Sequence, residues 1–322
     1  MNIFRANNDS IQRAAAIIRD GGLVSFPTET VYGLGADVFN PLAVSRIYEV
    51  KERPFFDPII VHISNTAAVD ELVLSFGERA RTLADRFWPG PLTLVLKKTA
   101  RVPDIVTAGL ETVAIRMPAH PVALQLIESV GKPIAAPSAN LFGYISPTRA
   151  AHVAEQLGDR IDMVLDGGDC PVGIESTILH LGEPVPIVLR PGGLPLEEIE
   201  EVIGPVAVHG GIAGSVQAPG QLPSHYSPNV PVRLVDRIDF QPAEPAAALL
   251  AFRAPRGKLP FARIEVLSPD GDLRVAAANL FRCLHRLDSA DVDIIYVERV
   301  PEIGLGRAIM DRLRRAAGRK SH

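Results

Sequence analysis

Between Gly204 and Pro231 the chain reads GPVAVHGGIAGSVQAPGQLPSHYSPNVP, and this stretch restricts its fold more than any other. Glycine, proline and small residues crowd it without periodicity, so neither a helix nor a sheet strand can run through its length. It divides 322 residues into two units, as length alone also favours, because one hydrophobic core rarely serves so long a chain. The expected organisation is a domain over 1–203, a linker over 204–230 and a smaller domain over 231–322. A plain spacer has no use for the His225-Tyr226 cluster, so the linker reads equally as a tether and as a lid over a site.

Ahead of the linker, Ile11, Ala14, Ala15 and Ile18 recur at helical spacing behind a polar Asn8-Asp9-Ser10 start, and Gly21-Gly22 stops them. Residues 23–26 read as a strand. Asn40-Pro41 resembles an N-cap and first helical residue, opening a helix to about Val50. Short apolar runs bounded by Gly or Pro follow at 59–63, 92–96, 113–115, 134–136, 163–165, 177–181 and 187–189, with helical patterns at 121–130 and 148–157. Past the linker, strand-like runs at 232–235, 264–267 and 294–297 accompany a helix carrying Leu273, Ala276, Leu280, Leu284 and Leu287 on one face, and a second at 305–316. Both units are therefore α/β, the second with a parallel sheet and crossover helices.

A hydrophobic fraction of 47% with 22% charged residues suits a folded chain. The net charge of -4 removes any global drive toward nucleic acid, so an RNA contact has to be local. Two cysteines, Cys170 and Cys283, allow neither a disulfide framework nor a zinc site. No basic-then-apolar leader opens MNIFRANNDS and no run reaches a membrane span, so the expectation is a soluble cytoplasmic protein.

Phosphate-binding fingerprints are absent: no G-x-x-x-x-G-K-[ST] occurs, and Val38 stands where a third glycine would follow Gly33-Leu34-Gly35. Phosphate has to be held by side chains. KERPFFDPIIVH offers Lys51, Arg53 and His62, with Pro54 and Pro58 giving a rigid non-helical shape, although cations at a helix C-terminus also arise for the dipole alone. PTETVYGLG, from Pro27 to Gly35, follows a strand, where α/β proteins build sites. Its Thr28-Glu29-Thr30 also suits a turn, and its glycines suit either close backbone approach or a tight bend. Ser138, Asn140 and Ser146 bring hydroxyls and an amide toward a helix start, where Ser146 can equally be an ordinary cap. Arg116 and Arg190 each end an apolar strand and can clamp a carboxylate and a phosphate. Ser176 lies outside any G-x-S-x-G elbow, and the histidines show no metal-ligand spacing.

Taken in order, FPTETVYGLGAD (26–37), KERP with a following HI (51–63), FWPGPLTLVL (87–96), TVAIRMPAHP (112–121), APSANLFGYISPT (136–148), GIESTI (173–178) and LRPGG (189–193) resemble the YrdC family in its long form with an extra C-terminal domain. PGQLPSHYSP (219–228) is similar to that family's linker motif. The resemblance implies a twisted mixed-sheet YrdC-like domain followed by a smaller, Rossmann-like α/β domain. It implies an ATP-dependent enzyme that joins L-threonine, bicarbonate and ATP into L-threonylcarbamoyladenylate and pyrophosphate, for threonylcarbamoyladenosine in tRNA. By position, Lys51, Arg53, Ser138, Asn140, Ser146 and Arg190 would surround ATP, with Thr112, His225 and Tyr226 nearby and Lys51 and Arg53 carrying catalysis. Thr30, His62, Arg116, Ala136 and Ser176 would line the threonine site. Asp57 stands where many members have asparagine, which alters any contact with nucleotide there.

The resemblance further implies magnesium arriving with ATP, no dedicated metal cage, a tRNA threonylcarbamoyl transferase receiving the product, and at most a transient tRNA contact. A carbamate attacking the α-phosphorus is already anionic, so positioning and cationic stabilisation suffice without a strong base. Two other readings are a carbamoyltransferase of hydrogenase maturation, whose acylphosphatase-like region and paired C-x-x-C motifs are missing here, and a double-stranded RNA-binding or ribosome-associated protein.

Overall fold

A computed structural model describes residues 2–182, 184–209 and 226–318. His225 and most of the Gly/Pro-rich stretch lie outside the described residues, and with them the reading of that stretch as a lid.

Local signals start the helices where the sequence places them. Asn7 and Ser10 form a reciprocal capping box ahead of Asn8–Arg19, whose Ile11, Ala14, Ala15 and Ile18 are all buried. Asn40 caps Pro41–Lys51 through the amides of Leu42 and Ala43. His120 caps Pro121–Val130, which ends on Gly131 in the left-handed region.

An 11-stranded mixed sheet forms the larger layer. In spatial order it runs Ile3–Arg5, Met163–Asp166, Val24–Phe26, Gly33–Asp37, Ile134–Ala135 and Val61–His62, then Thr112–Arg116, Leu92–Lys97, Thr177–His180, Ile187–Arg190 and Ala207–Val208. Alternation sorts its middle strands into two faces. Val61, Leu94, Ile115, Leu179 and Val188 join the main core, whereas Ile60, Val95, Ala114, Ile178 and Leu189 form a separate small patch on the other face. His62, Thr93, Thr112 and Arg116 share that second face by the same alternation. Arg190 joins them because the register shifts between Val188 and Arg190, so that Arg190 pairs opposite Ile178.

The two glycines of GLGAD make no turn, for Gly33–Asp37 is a fully buried strand, and only Gly33, at its start, borders a cavity. A Cβ on Gly35 would stand 2.8 Å from both Ile134 Cγ2 and the Phe26 ring, so packing requires glycine there.

The second sheet has four parallel strands in the order Val232–Val235, Ile294–Glu298, Ala247–Ala251, Arg263–Val266. Helices Leu273–Asp288 and Leu305–Ala317 pack on the face bearing Ala248, Leu250, Ile295 and Val297. The same apolar cluster takes in Val31, Ile145 and Ile174 of the larger unit, so the two parts share a core. Gly173 lies hard against the second part: at φ +75°, a Cβ there would lie 2.5 Å from Ala278 Cα.

Candidate active site

A cleft opens on the second face of the large sheet, where the strand ends His62, Arg116 and Arg190 meet the loops 27–33, 136–140 and 173–176. All of Thr30, His62, Arg116, Ala136 and Ser176 line it, as do Arg53, Ser138, Arg190 and Tyr226.

At one end, Arg116 is held on three sides. Its Nη1 donates to Thr30 Oγ1 at 2.9 Å, its Nε to the Gly90 carbonyl at 3.2 Å, and its Nη2 pairs with Glu29 Oε1 at 2.6 Å. Thr30 and Thr28 share a 2.8 Å hydrogen bond between hydroxyls. Beside them His62 is pushed down to about 3, first by burial and then by the Arg116 charge, so it is a neutral imidazole at physiological pH. Ser176 Oγ and Thr93 Oγ1 lie 2.7 Å apart. The result is a buried nest of hydroxyls, one neutral imidazole and one fixed guanidinium, suited to a small polar zwitterion.

At the other end, Arg190 donates to the Ser176 carbonyl through Nε and Nη2, at 3.3 and 3.0 Å. Arg53 follows a helix that stops at Glu52 in the left-handed region, a turn that sends both Lys51 and Arg53 inward. The 53–58 loop then wraps the Arg53 guanidinium: Nε donates to the Asp57 carbonyl, Nη2 to the Pro58 carbonyl, and Nη2 pairs with the Asp57 carboxylate at 3.0 Å. Pro54 and Pro58 thus shape a cradle, as their spacing suggests.

Other candidates sit differently from expectation. Lys51 is buried behind the cleft, its Nζ donating to the carbonyls of Ser138 and Asn140 at 2.6 and 2.5 Å, and burial with the nearby Arg53 charge lowers it well below an ordinary lysine. It braces the 138–140 loop and does not face the cavity. Asp57 neutralises Arg53 from a fully buried position; burial raises its carboxyl, against the pull of Arg53, Lys51 and Arg190. Asn140 donates to the carbonyls of Leu141 and Tyr144. Ser146 is no helix cap: Arg149 occupies that position for Ala150–Leu157, and Ser146 Oγ donates to Glu175 Oε1 at 2.5 Å. Thr112 begins the strand that Arg116 ends, about 13 Å away at the usual strand rise. It shares the face of Ala114 and Arg116, so it stands at the far end of the apolar strip beyond the cleft.

Two residues enter the site without having been foreseen as binding groups. Glu175 lines the cleft, and Arg312, from the second domain, pairs with it at 3.0 Å. Arg312 also lies 5.1 Å above the ring of Tyr226, itself stacked on Phe281 and held at φ 62°. Among the described residues no group of three or more His, Cys, Asp or Glu is placed to hold a metal ion.

A family model for Sua5, YciO and YrdC proteins, described as telomere recombination, matches residues 16–192. A second, described as the threonylcarbamoyl-AMP synthase C-terminal domain, matches 194–318. The chain is 46% identical over 319 residues to the threonylcarbamoyl-AMP synthase of Pyrococcus abyssi, covering 96% of this chain and 94% of that relative. With the threonylcarbamoyl-AMP synthase of Bacillus subtilis it shares 44% identity over 325 residues, covering 97% and 94%. The crystal structure of P. abyssi Sua5 complexed with L-threonine superposes with a TM-score of 0.89 at 43% identity, covering 98% of this chain and 96% of that one.

Proposed function

The chain belongs to the Sua5/YciO/YrdC family and carries the C-terminal domain of threonylcarbamoyl-AMP synthases, and from this membership we propose how its cleft divides between substrates. Its activity is synthesis of threonylcarbamoyl-AMP with release of pyrophosphate from L-threonine, bicarbonate and ATP, an activating step in tRNA modification. The observation that carries the proposed division is that Thr30, His62, Arg116, Ala136 and Ser176, from separate segments, line a single cleft in which Arg116 is hydrogen-bonded to Thr30 and Arg190 to Ser176. L-Threonine binds at the Arg116 end, its carboxylate toward that guanidinium and its hydroxyl among the buried Thr30, His62 and Ser176 groups. ATP takes the other end, phosphates toward Arg53, Ser138 and Arg190.

Threonine's amine and bicarbonate condense to a carbamate with loss of water. A carbamate oxygen attacks the α-phosphorus, and the bond to the bridging oxygen breaks as pyrophosphate leaves. Arg53 and Arg190 stabilise the charge that develops on the phosphates, with no proton to remove from the nucleophile. Lys51 and Asn140 serve the nucleotide indirectly, by fixing the loop that presents Ser138. Magnesium would arrive with ATP and offset part of the charge on its phosphates. The product passes to a tRNA threonylcarbamoyl transferase in the cytoplasm, with only local contact to tRNA; no helix among the described residues is long and apolar enough to cross a membrane.

Pyrophosphate release from the full chain tests this reading. It should need both threonine and bicarbonate, which a pure RNA-binding module would not show. Valine should be poorer than threonine by on the order of 10⁴-fold, since it leaves buried hydroxyl partners unpaired, with serine in between. Equal rates for valine and threonine would refute the assigned pocket.

A further inference from the structure

The second domain sends one side chain to a residue that lines the larger unit's cleft, and its surroundings give it a task. Helix Leu305–Ala317 buries Leu305, Ala308, Ile309, Leu313 and Ala316, and the same face presents Arg312, which is 0% exposed. A guanidinium in a core position is costly unless its charge is paired, and here Nε and Nη1 carry the pairing while Nη2 makes no hydrogen bond among the described residues. Arg312 Nε donates to Glu175 Oε2 at 3.0 Å and Nη1 to the Pro191 carbonyl at 2.7 Å and to Asp311 Oδ2 at 2.8 Å. The other Glu175 oxygen accepts from Ser146 Oγ. Glu175 lines the cleft together with Arg190, whose guanidinium donates to the carbonyl of the next residue, Ser176, at 3.0 Å.

A bare carboxylate at that point would repel the triphosphate, the carbamate and the departing pyrophosphate alike. We propose that Arg312 is a positioning residue by which the docked second domain neutralises and orients Glu175, making the cleft of the first domain fit for an anionic nucleotide. The carboxylate in turn holds the Ser146 hydroxyl, so this contact across the domain junction bears on both the charge of the site and its 146 loop, whose Ser146 carbonyl also lies 3.2 Å from His285 Nε2. Close docking supports this: Gly173, two residues before Glu175, leaves no room for a Cβ against the backbone of Ala277 and Ala278. The second domain thereby acts on the site through a defined pair of residues, apart from any part played by the linker.

This inference rests on the reading that the cleft takes ATP. It is tested on the full chain with R312M and with R312M/E175Q, following pyrophosphate release at saturating threonine and bicarbonate with ATP varied. R312M should raise KM for ATP at least tenfold with a smaller change in kcat. The double variant, which lacks the unpaired carboxylate, should return KM to within threefold of the parent, a rescue that a merely structural role for Arg312 would not produce. An unchanged KM in R312M, or a folded double variant with KM still raised tenfold, overturns the proposal. If R312M does not fold, the double variant decides by the same threshold. ATP titrations of the same proteins should give the same order in Kd, so the inference is judged even if the parent chain made no adenylate, a result that would sink the synthesis reading instead.

Discussion

The two sheets treat their cations in opposite ways. In the larger unit Lys51, Arg53, Arg116 and Arg190 are all buried and spent on backbone carbonyls, hydroxyls and carboxylates around one cleft. In the smaller unit Arg237, Arg263 and Arg299 form ion pairs in solvent, while the strand faces beneath the helices are apolar. Desolvating a charge costs several kcal/mol, so a fold with no ligand to serve gains little by burying four of them together. Where the chain bears that cost repeatedly, it has built a site for anions; where it does not, it has built a scaffold. Arg312 is the exception that joins the two, a buried cation of the scaffold aimed at the site.

Separating the two contributions of a buried cation gives the largest expected effect. Arg53→Ala strands Asp57 and should destabilise by about 3 to 5 kcal/mol while cutting synthesis by on the order of a hundredfold or more. Adding Asp57→Ala should recover most of the lost melting temperature and none of the pyrophosphate release, because the stranded charge is gone but the phosphate contact is not restored. Recovery of both together would mean that Arg53 only supports the loop, and the contrast between site and scaffold would lose its main example.

Next in size is the junction. Gly173→Ala meets the backbone of helix Leu273–Asp288 and holds a residue with a Cβ at φ +75°, so strain and overpacking together should cost about 2 to 4 kcal/mol. Gly109→Ala shares the strain at φ +79° but has nothing within 4 Å of the new Cβ. Thermal melts should therefore fall further for Gly173→Ala than for Gly109→Ala, and synthesis only for the former, since Glu175 shifts against Arg312. Equal melts would show that the units are not packed as tightly as their shared core requires.

How far these features could be read in advance depends on whether their causes are local. Pro121–Val130 follows from its cap and period, Leu305–Ala317 from period alone, and Leu92–Lys97 from an apolar run between punctuating residues. Gly33–Asp37 looked like a loop because the reason for Gly35, the Phe26 ring and Ile134, comes from other strands. Ala247–Ala251 was not foreseen: buried on both faces, its residues show no alternation. Glu78–Phe87 carries a faint helical signal, because only Ala80, Leu83 and Ala84 are buried amid its charges. At the site, the candidates in family motifs largely converge, yet Glu175 draws its role from Ser146 and Arg312, far off along the chain. The one signal overlooked was positional: Arg312 falls in the apolar stripe of Leu305, Ala308, Ile309, Leu313 and Ala316, where a charge needs a buried partner.

Acid should probe buried bases with a moderate effect. His62 and His152 are held down to about 3 and His285 to about 4, each chiefly by burial. Unfolded histidine takes up a proton near 6.5, so between there and 3 to 4 the unfolded chain binds protons that the folded one refuses. Stability is therefore complete above about pH 6.5 and lost as pH falls, by up to about 2 kcal/mol per site at pH 5. His152 and His285 stack across the domain junction with centroids 3.8 Å apart. Replacing His285 by Phe should flatten the decline in melting temperature between pH 7 and 5, and an unchanged slope would remove the junction from this account.

The smallest effect is expected from the ion pair with the better geometry. Arg237 meets Asp239 through two parallel contacts, Nε to Oδ1 at 3.0 Å and Nη2 to Oδ2 at 2.7 Å, whereas a single 3.0 Å ion-pair contact links the Arg53 guanidinium to the Asp57 carboxylate. Judged by the ion-pair contacts alone, leaving aside the two carbonyls that Arg53 also meets, Arg237 would matter more. Its side chain is 81% exposed and that of Asp239 61%, against 3% and 0% for the buried pair. Water and salt screen the exposed charges, and neither is stranded when the other is removed, because solvent takes over the lost bonds. Arg237→Ala should therefore melt within the spread of replicate scans and release pyrophosphate at the parent rate, in low salt and in high. A drop of several degrees would mean that contact geometry outweighs burial in this fold, and the buried cations around the cleft would then need no ligand to explain them.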